Sequence, residues 1–299
     1  MEGPAHLDVV HVPAGAWAGD ASGIAHELDV YRNQKDAWLA AQRGEDPADK
    51  RMGLFMGEGE GVLRQMVEAG VRVRSVLVAE HRLDAVGETL ARLPTGTRVL
   101  VASRGALEEI VGFDMHRGVL ACGERPAPMG VTELARSASA IVMSERVANH
   151  DNMGGLFRTL AAFAGPRAGV VLSPWCVDPL YRKAVRVSMG QALRLRWARC
   201  EGDAWLGSID AVRDAGFDVL ALTPAPDAID LDEAATRFGT AGGRRVALLV
   251  GAEGPGLEVA TMARATVRVR IPIWHGADSL NLVVATGVAL SRLVRADAD

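Results

Sequence analysis

The chain has 299 residues, 49% apolar and 23% charged, with a formal net charge of −4. That is a soluble, globular composition with length enough for two cores, and it carries no overall basic excess of the kind many nucleic-acid binders show. No apolar run is long enough for a transmembrane helix, and the first residues lack a basic stretch followed by an apolar core, so neither a membrane span nor a signal peptide is expected and a cytoplasmic location is. In chain order, residues 1–45 read as a polar N-terminal extension with a helical patch at 33–43, followed by the turn-rich GEDPADK (44–50). From Gly53 the pattern alternates: strand 54–58, helix 61–69, strand 73–80, helix 83–93, strand 97–103, helix 106–111 and strand 118–122. ERPAPMG (124–130) suits neither a helix nor a central strand and marks a linker. Strands are then expected at 138–144, 169–173, 193–197, 217–223, 245–251 and 266–272, and helices at 153–164, 178–187, 203–215 and 279–295. Apolar strands alternating with helices imply a parallel sheet covered on both faces, with the ligand site beyond the C-terminal strand ends. The division is therefore 1–45 extension, 46–125 small α/β domain, 126–136 linker and 137–299 parallel-sheet domain.

Cys122, Cys176 and Cys200 form no CxxC pair, and the seven histidines show no ligand spacing, so reduced thiols and no metal are expected. Apart from Lys35, Lys50 and Lys183 the basic residues are all arginines. Arginine binds phosphate through a planar fork, although a high-GC genome enriches it as well.

Three segments stand out. NHDNMGGLFRTLAAFAG (149–165) follows a strand. Its Asn149 and Asn152 suit a helix cap, Gly154 and Gly155 admit close backbone approach, and Arg158 falls on the first turns. LLVGAEGPGLE (248–258) ends a strand in Gly251, Glu253, Gly254 and Gly256, a spacing unlike the dinucleotide GxGxxG. In IPIWHGADSLNLVVATGVAL (271–290) Pro272 ends a strand, Ser279 caps an apolar helix and Asn281 lies in its first turn. Singly, these read equally as a capped helix with a solvent-facing Arg, a tight turn and a core helix.

Together, their order and spacing resemble the SpoU/TrmH branch of the SPOUT methyltransferases. The family's NxxNxGxxxR matches at Asn149, Asn152, Gly154 and Arg158, with Phe163 fitting and Gly165 one residue late. GxEGxG matches at Gly251, Glu253, Gly254 and Gly256, and IPxxxxxxSLNxxxA at Ile271, Pro272, Ser279, Leu280, Asn281 and Ala285. RVSMGQALRLRW (186–197) is similar to a further Ser-x-Gly-Ala stretch with Gln191 inserted. The family favours proline where His150 stands, and again near Arg196.

The resemblance implies an α/β fold with a C-terminal SPOUT domain tied in a deep trefoil knot. The preceding small domain resembles the family's ribosomal-protein-like RNA-binding module, carried by LFMGEGEGVLRQMVEAG (54–70), with GEGEG as a strand-to-helix turn. The implied activity is S-adenosylmethionine-dependent methylation of a ribose 2′-OH in a structured RNA, rRNA rather than tRNA, by a homodimer. The implied cofactor contacts are Leu222, Thr223, Gly251, Glu253, Gly254, Gly256, Ile271, Ile273, Ser279 and Leu280. Arg158 is the implied catalytic residue, positioned with the ribose by Asn152, Glu253, Ser279 and Asn281. Because arginine holds its proton firmly, orienting the ribose and lowering the hydroxyl pKa suits it better than outright proton abstraction. RNA contacts are expected among Arg72, Arg74, Arg182, Lys183, Arg186, Arg194 and Arg196, with Arg199 in the same cluster. A non-catalytic RNA-binding homologue, a base methyltransferase and a plain nucleotide-binding Rossmann enzyme are the alternatives.

Overall fold

The computed structural model describes residues 4–13, 15, 24–32, 35–42, 53–274 and 279–295. The GEDPADK stretch and parts of the 33–43 patch lie outside them. In chain order the elements are β1 (Asp8–Val12), α1 (Ile24–Leu28), α2 (Asp36–Ala41), β2 (Leu54–Glu58), α3 (Glu60–Glu68), β3 (Val73–Ala79), α4 (Leu83–Leu90), β4 (Arg98–Ala102), α5 (Arg104–Val111) and β5 (Val119–Glu124). There follow α6 (Val131–Ser137), β6 (Ala140–Ser144), α7 (His150–Ala164), β7 (Gly169–Leu172), α8 (Arg182–Val187), α9 (Gln191–Arg194), β8 (Arg196–Arg199), α10 (Trp205–Asp214) and β9 (Phe217–Leu222). The last are β10 (Ile229–Asp230), α11 (Leu231–Phe238), β11 (Arg245–Val250), α12 (Val259–Met262), β12 (Val267–Arg270) and α13 (Leu282–Leu293).

The chain divides into two compact units, one of residues 1–127 with Leu180–Leu193 and one of Pro128–Pro179 with Arg194–Asp299. This corrects the continuous 137–299 assignment, because the chain leaves the second unit at Leu180 and returns at Arg194. The first unit holds a five-stranded sheet in the order β1-β4-β3-β5-β2, parallel through β1, β4 and β3 and antiparallel where β5 pairs with β3 and β2. The described residues of 1–45 are not a separate extension: β1 pairs with β4, and Leu28, Tyr31 and Leu39 are fully buried in this unit's core. The alternation in DVVHV is too short to have marked β1 as a strand. At the GEGEG turn β2 ends at Glu58, Gly59 takes φ +98°, and α3 begins, as the sequence suggested. Burial pushes the Cys122 thiol in this core up to about 12; Cys122, Cys176 and Cys200 are all buried and free.

The segment 180–193 is fastened to the first unit by charge. Arg186 Nη1 donates to both carboxylate oxygens of the buried Glu58 at 3.1 and 3.2 Å. Arg182 lies 3.8 Å from the same carboxylate and stacks on Phe113.

The second unit is a seven-stranded sheet in the order β10-β12-β9-β11-β6-β7-β8, parallel at every pairing. Its central strands are mostly apolar, as burial on both faces favours, and β6 and β7 are buried at every residue. Three details differ from expectation. QALR forms the short α9, so the adjoining strand runs 196–199 instead of 193–197. Residues 131–136 of the supposed linker belong to a helix that runs to Ser137, and β10 with α11 fills a stretch left unassigned. No described helix is long and apolar enough to cross a membrane.

Candidate active site

The C-terminal ends of β9, β11 and β12, with the start of α13, enclose a cleft of about 330 Å³ in the second unit. This is where a parallel sheet leaves room for a ligand, since each strand's chain turns away there toward its helix. Leu222 and Thr223 line it from the β9 end; Gly251, Glu253, Gly254 and Gly256 from the loop after β11; Ile271 and Ile273 from the β12 end; and Ser279 and Leu280 from the approach to α13. All the residues that sequence analysis grouped as cofactor contacts therefore share one cleft. Pro224, Met262, Leu282 and Ala285 also line it; Ala285 closes the third motif, whereas the other three apolar positions carry no motif.

The loop after β11 turns sharply back on itself. Gly256 N–H donates to the Ala252 carbonyl at 3.0 Å. A Cβ on Gly251 would fall 2.2 Å from the Gly256 carbonyl carbon, so no other residue fits there. Gly254 and Gly256 take φ +87° and +70°, a region that side-chain-bearing residues avoid. The glycines thus bring bare backbone to the cleft wall.

Asn281, between the lining residues Leu280 and Leu282, joins three elements beside the cleft. Its Nδ2 donates to Asn152 Oδ1 on α7 at 3.1 Å and to Glu253 Oε1 in the loop at 2.7 Å. Its Oδ1 accepts from Val283 N and Val284 N, which makes Asn281 the N-cap of α13. The expected cap was Ser279; the helix begins later, and Ser279 stands ahead of it on the cleft wall. Asn149 caps α7 as expected, accepting from Asp151 N and Asn152 N. Because α7 already starts at His150, Arg158 lies near its middle rather than at its positive end, and helix-terminal electrostatics do not explain it. Arg158 is exposed, with no hydrogen bond or ion pair among the described residues. The structure thus links Asn152, Glu253 and Asn281, sets Ser279 in the same cleft, and leaves Arg158 on the neighbouring helix surface.

Two helices carry this arrangement. A Cβ on Gly155 would lie 2.7 Å from Val283 Cγ2, and one on Gly287 would lie 3.4 Å from Thr159 Cγ2. Close packing of α7 on α13 therefore depends on glycine, and that packing holds Asn152 against Asn281.

A second network escaped the sequence reading. Glu145, directly after β6, is fully buried. Its carboxylate accepts from Trp205 Nε1 at 2.9 Å, Thr261 Oγ1 at 2.5 Å and the Glu258 amide at 2.8 Å. It ties the end of the glycine loop to β6 and α10, and all of its bonds satisfy a charge that would otherwise be costly to bury. An acidic residue closing an apolar strand was its one sequence signal.

Among the expected RNA contacts, Arg182 and Arg186 are committed to Glu58, and Arg72 pairs with Glu124 at 3.4 Å while staying mostly exposed. Arg74 is exposed on β3, and Arg196 is exposed at the start of β8. Lys183 and Arg194 each have an interaction partner. Arg199 points inward, donating to the carbonyls of Cys176 and Val177 at 2.7 and 3.0 Å. No cluster of three or more His, Cys, Asp or Glu able to hold a metal occurs among the described residues.

Residues 139–291 match the model of the SpoU rRNA Methylase family. The chain is 36% identical over 242 residues, 81% of each chain, to an uncharacterized tRNA/rRNA methyltransferase of Mycobacterium tuberculosis. In fold it is similar to the AdoMet-bound rRNA methyltransferase from Sinorhizobium meliloti, with TM-score 0.71, 24% identity, and 95% and 97% of the two chains covered. It is also similar to the SpoU methyltransferase AviRb from Streptomyces viridochromogenes in complex with AdoMet, with TM-score 0.66, 22% identity, and 86% and 94% covered. With half the chain inside the family model, and the glycine loop of the cleft tied through Glu253 to Asn281 and Asn152, this chain belongs to the SpoU rRNA Methylase family of RNA methyltransferases.

Proposed function

We propose that the protein transfers a methyl group from S-adenosylmethionine to a ribose 2′-OH of a structured RNA, with ribosomal RNA favoured over tRNA. The observation that carries this is Asn281, which joins Asn152 and Glu253 beside a cleft walled by glycine backbone. Bare backbone and apolar walls suit an adenosine and a methionine chain, which need shape and a few polar contacts. Two similar structures, those from Sinorhizobium meliloti and Streptomyces viridochromogenes, carry AdoMet. S-adenosylmethionine supplies an electrophilic methyl on a sulfonium. The protein's part is to align that methyl with the hydroxyl and help the hydroxyl lose its proton.

In this reading Asn152, Glu253, Ser279 and Asn281 hold the ribose at the cleft mouth. Arg158, exposed on α7, reaches the nucleotide as a fixed cation that orients its phosphate and lowers the hydroxyl pKa. The chain after β11 forms part of a deep trefoil knot, for which the tight fold-back at Gly251 and the fold likeness speak. The working form is a homodimer: Val284 and Val288, one turn apart on α13, are 52% and 37% exposed, an apolar face suited to a second copy. The small first unit binds RNA, and the enzyme works in the cytoplasm.

The test is Arg158→Ala. Turnover on RNA should fall at least about a hundredfold, as loss of one positioned charge-stabilising donor typically costs, while calorimetric titration shows S-adenosylmethionine binding unchanged. Near-normal turnover by this variant overturns the role of Arg158. Methylation that leaves the RNA open to alkaline cleavage at the modified position overturns the ribose assignment.

A further inference from the structure

The loops after β6 and β7 hold a feature that the methyl-transfer chemistry does not use. Trp175 follows β7 and is 51% exposed. The Arg146 guanidinium, from the loop after β6, lies over its ring, 4.6 Å from the centroid. An isolated exposed tryptophan is common and means little. Here the backbone that follows the ring and the arginine that covers it are both fixed. Arg199 donates to the carbonyls of Cys176 and Val177, the Cys176 thiol donates to the Ser144 carbonyl at 3.2 Å, and Val177 N–H donates to the Val147 carbonyl at 2.9 Å. Arg146 keeps a left-handed backbone at φ +56°, its amide donates to Ser173 Oγ at 3.0 Å, and its side chain pairs with Glu258 at 2.8 Å. A non-glycine residue in that conformation persists only where its surroundings enforce it. The structure therefore spends order on presenting a large ring to solvent.

Position gives the ring a use. β6 lies between β11 and β7, so the end of β7, from which the Trp175 loop leaves, is two strand spacings, roughly 10 Å, along the same C-terminal sheet edge from the end of β11, where the glycine loop of the cleft begins. The N-terminus of α7, with Asn149 and Asn152, lies after the strand between them. We propose that Trp175, backed by Arg146, is a stacking platform for an unpaired base of the RNA, next to the nucleotide whose ribose enters the cleft. Aromatic rings stack any base, and a guanidinium on the ring adds a cation at the height of the backbone phosphate. This inference rests on RNA being the substrate, as proposed above.

The test uses the full chain and a fluorescent single-stranded oligouridylate, followed by anisotropy. Trp175→Ala should weaken binding about tenfold or more, the scale of one lost base stack, and Trp175→Phe should recover most of it. Arg146→Asn, which tolerates the left-handed backbone, should weaken it less. S-adenosylmethionine affinity should not change in any of the three. In parallel, methyl transfer to undermethylated ribosomal RNA should show a raised KM with kcat nearly intact for Trp175→Ala. Oligouridylate binding by Trp175→Ala within twofold of the parent protein overturns the platform, as does a change in sedimentation showing that Trp175 joins two copies instead. If the parent protein transfers no methyl to ribose yet Trp175→Ala still loses oligouridylate binding, the platform stands and the functional reading falls.

Discussion

Asn281 fills all its hydrogen-bonding capacity across three elements: two amide hydrogens outward, one oxygen onto its own helix. Its two duties are separable. Asn281→Asp keeps the cap, because aspartate caps as well as asparagine, but it can no longer donate to Asn152 and faces Glu253 with a like charge. The expected outcome is a thermal melt close to that of the parent protein with methyl transfer reduced at least about tenfold, the scale of a lost charge-assisted hydrogen bond of about 1.5–3 kcal/mol; a melt and an activity that fall together would show the residue to be structural only. At this scale the sequence was informative where a motif constrains chemistry: Asn152, Glu253 and Asn281 were named together and meet. It gave only a faint sign of Glu145, whose partners Trp205, Glu258 and Thr261 are distant in sequence and share no pattern.

At the scale of elements, the crossing of α7 and α13 positions the site, and Gly155 permits it. Gly155→Ala sets two effects in opposition. Alanine favours the helix by about 1 kcal/mol, whereas a Cβ 2.7 Å from Val283 Cγ2 forces a stiff β-branched side chain or a whole helix to move. Overpacking of this kind costs about 1–3 kcal/mol, so the steric term wins. Denaturant unfolding should show a net loss of stability, mostly recovered by adding Val283→Ala; a more stable single variant would mean that the helices separate freely. Element type was largely legible because periodicity reports burial, and β6, β7, β9 and β11 are dominated by apolar residues, with Asp218 and Arg245 near the starts of β9 and β11. It failed at α9 and β8: Leu193, Leu195 and Trp197 alternate like a strand, yet the strand is placed by its pairing with β7, which begins at Arg196.

For the whole molecule, the excursion of residues 180–193 into the first unit changes which arginines are available to RNA. Arg186→Ala removes the closest partner of buried Glu58 and should destabilise the protein by about 1–3 kcal/mol, read by chemical unfolding. Arg196→Ala, exposed on β8, should leave stability unchanged and reduce the slope of log affinity for RNA against log salt by about 1. The opposite pattern would return Arg186 to the RNA-facing surface.

Composition, alternation and three motifs determined by themselves the parallel α/β class, the family, and which residues gather at the cleft. They did so because burial on both faces writes apolar runs, and because a loop that turns back on itself tolerates only glycine at positions such as Gly251. Tertiary structure alone decided that β1 and the first helices belong to a core, that 180–193 leaves one unit for the other, that Asn281 rather than Ser279 caps α13, and that Trp175 is displayed over Arg146. Each of these depends on a partner tens of residues away or on where a helix actually begins, and local pattern carries neither.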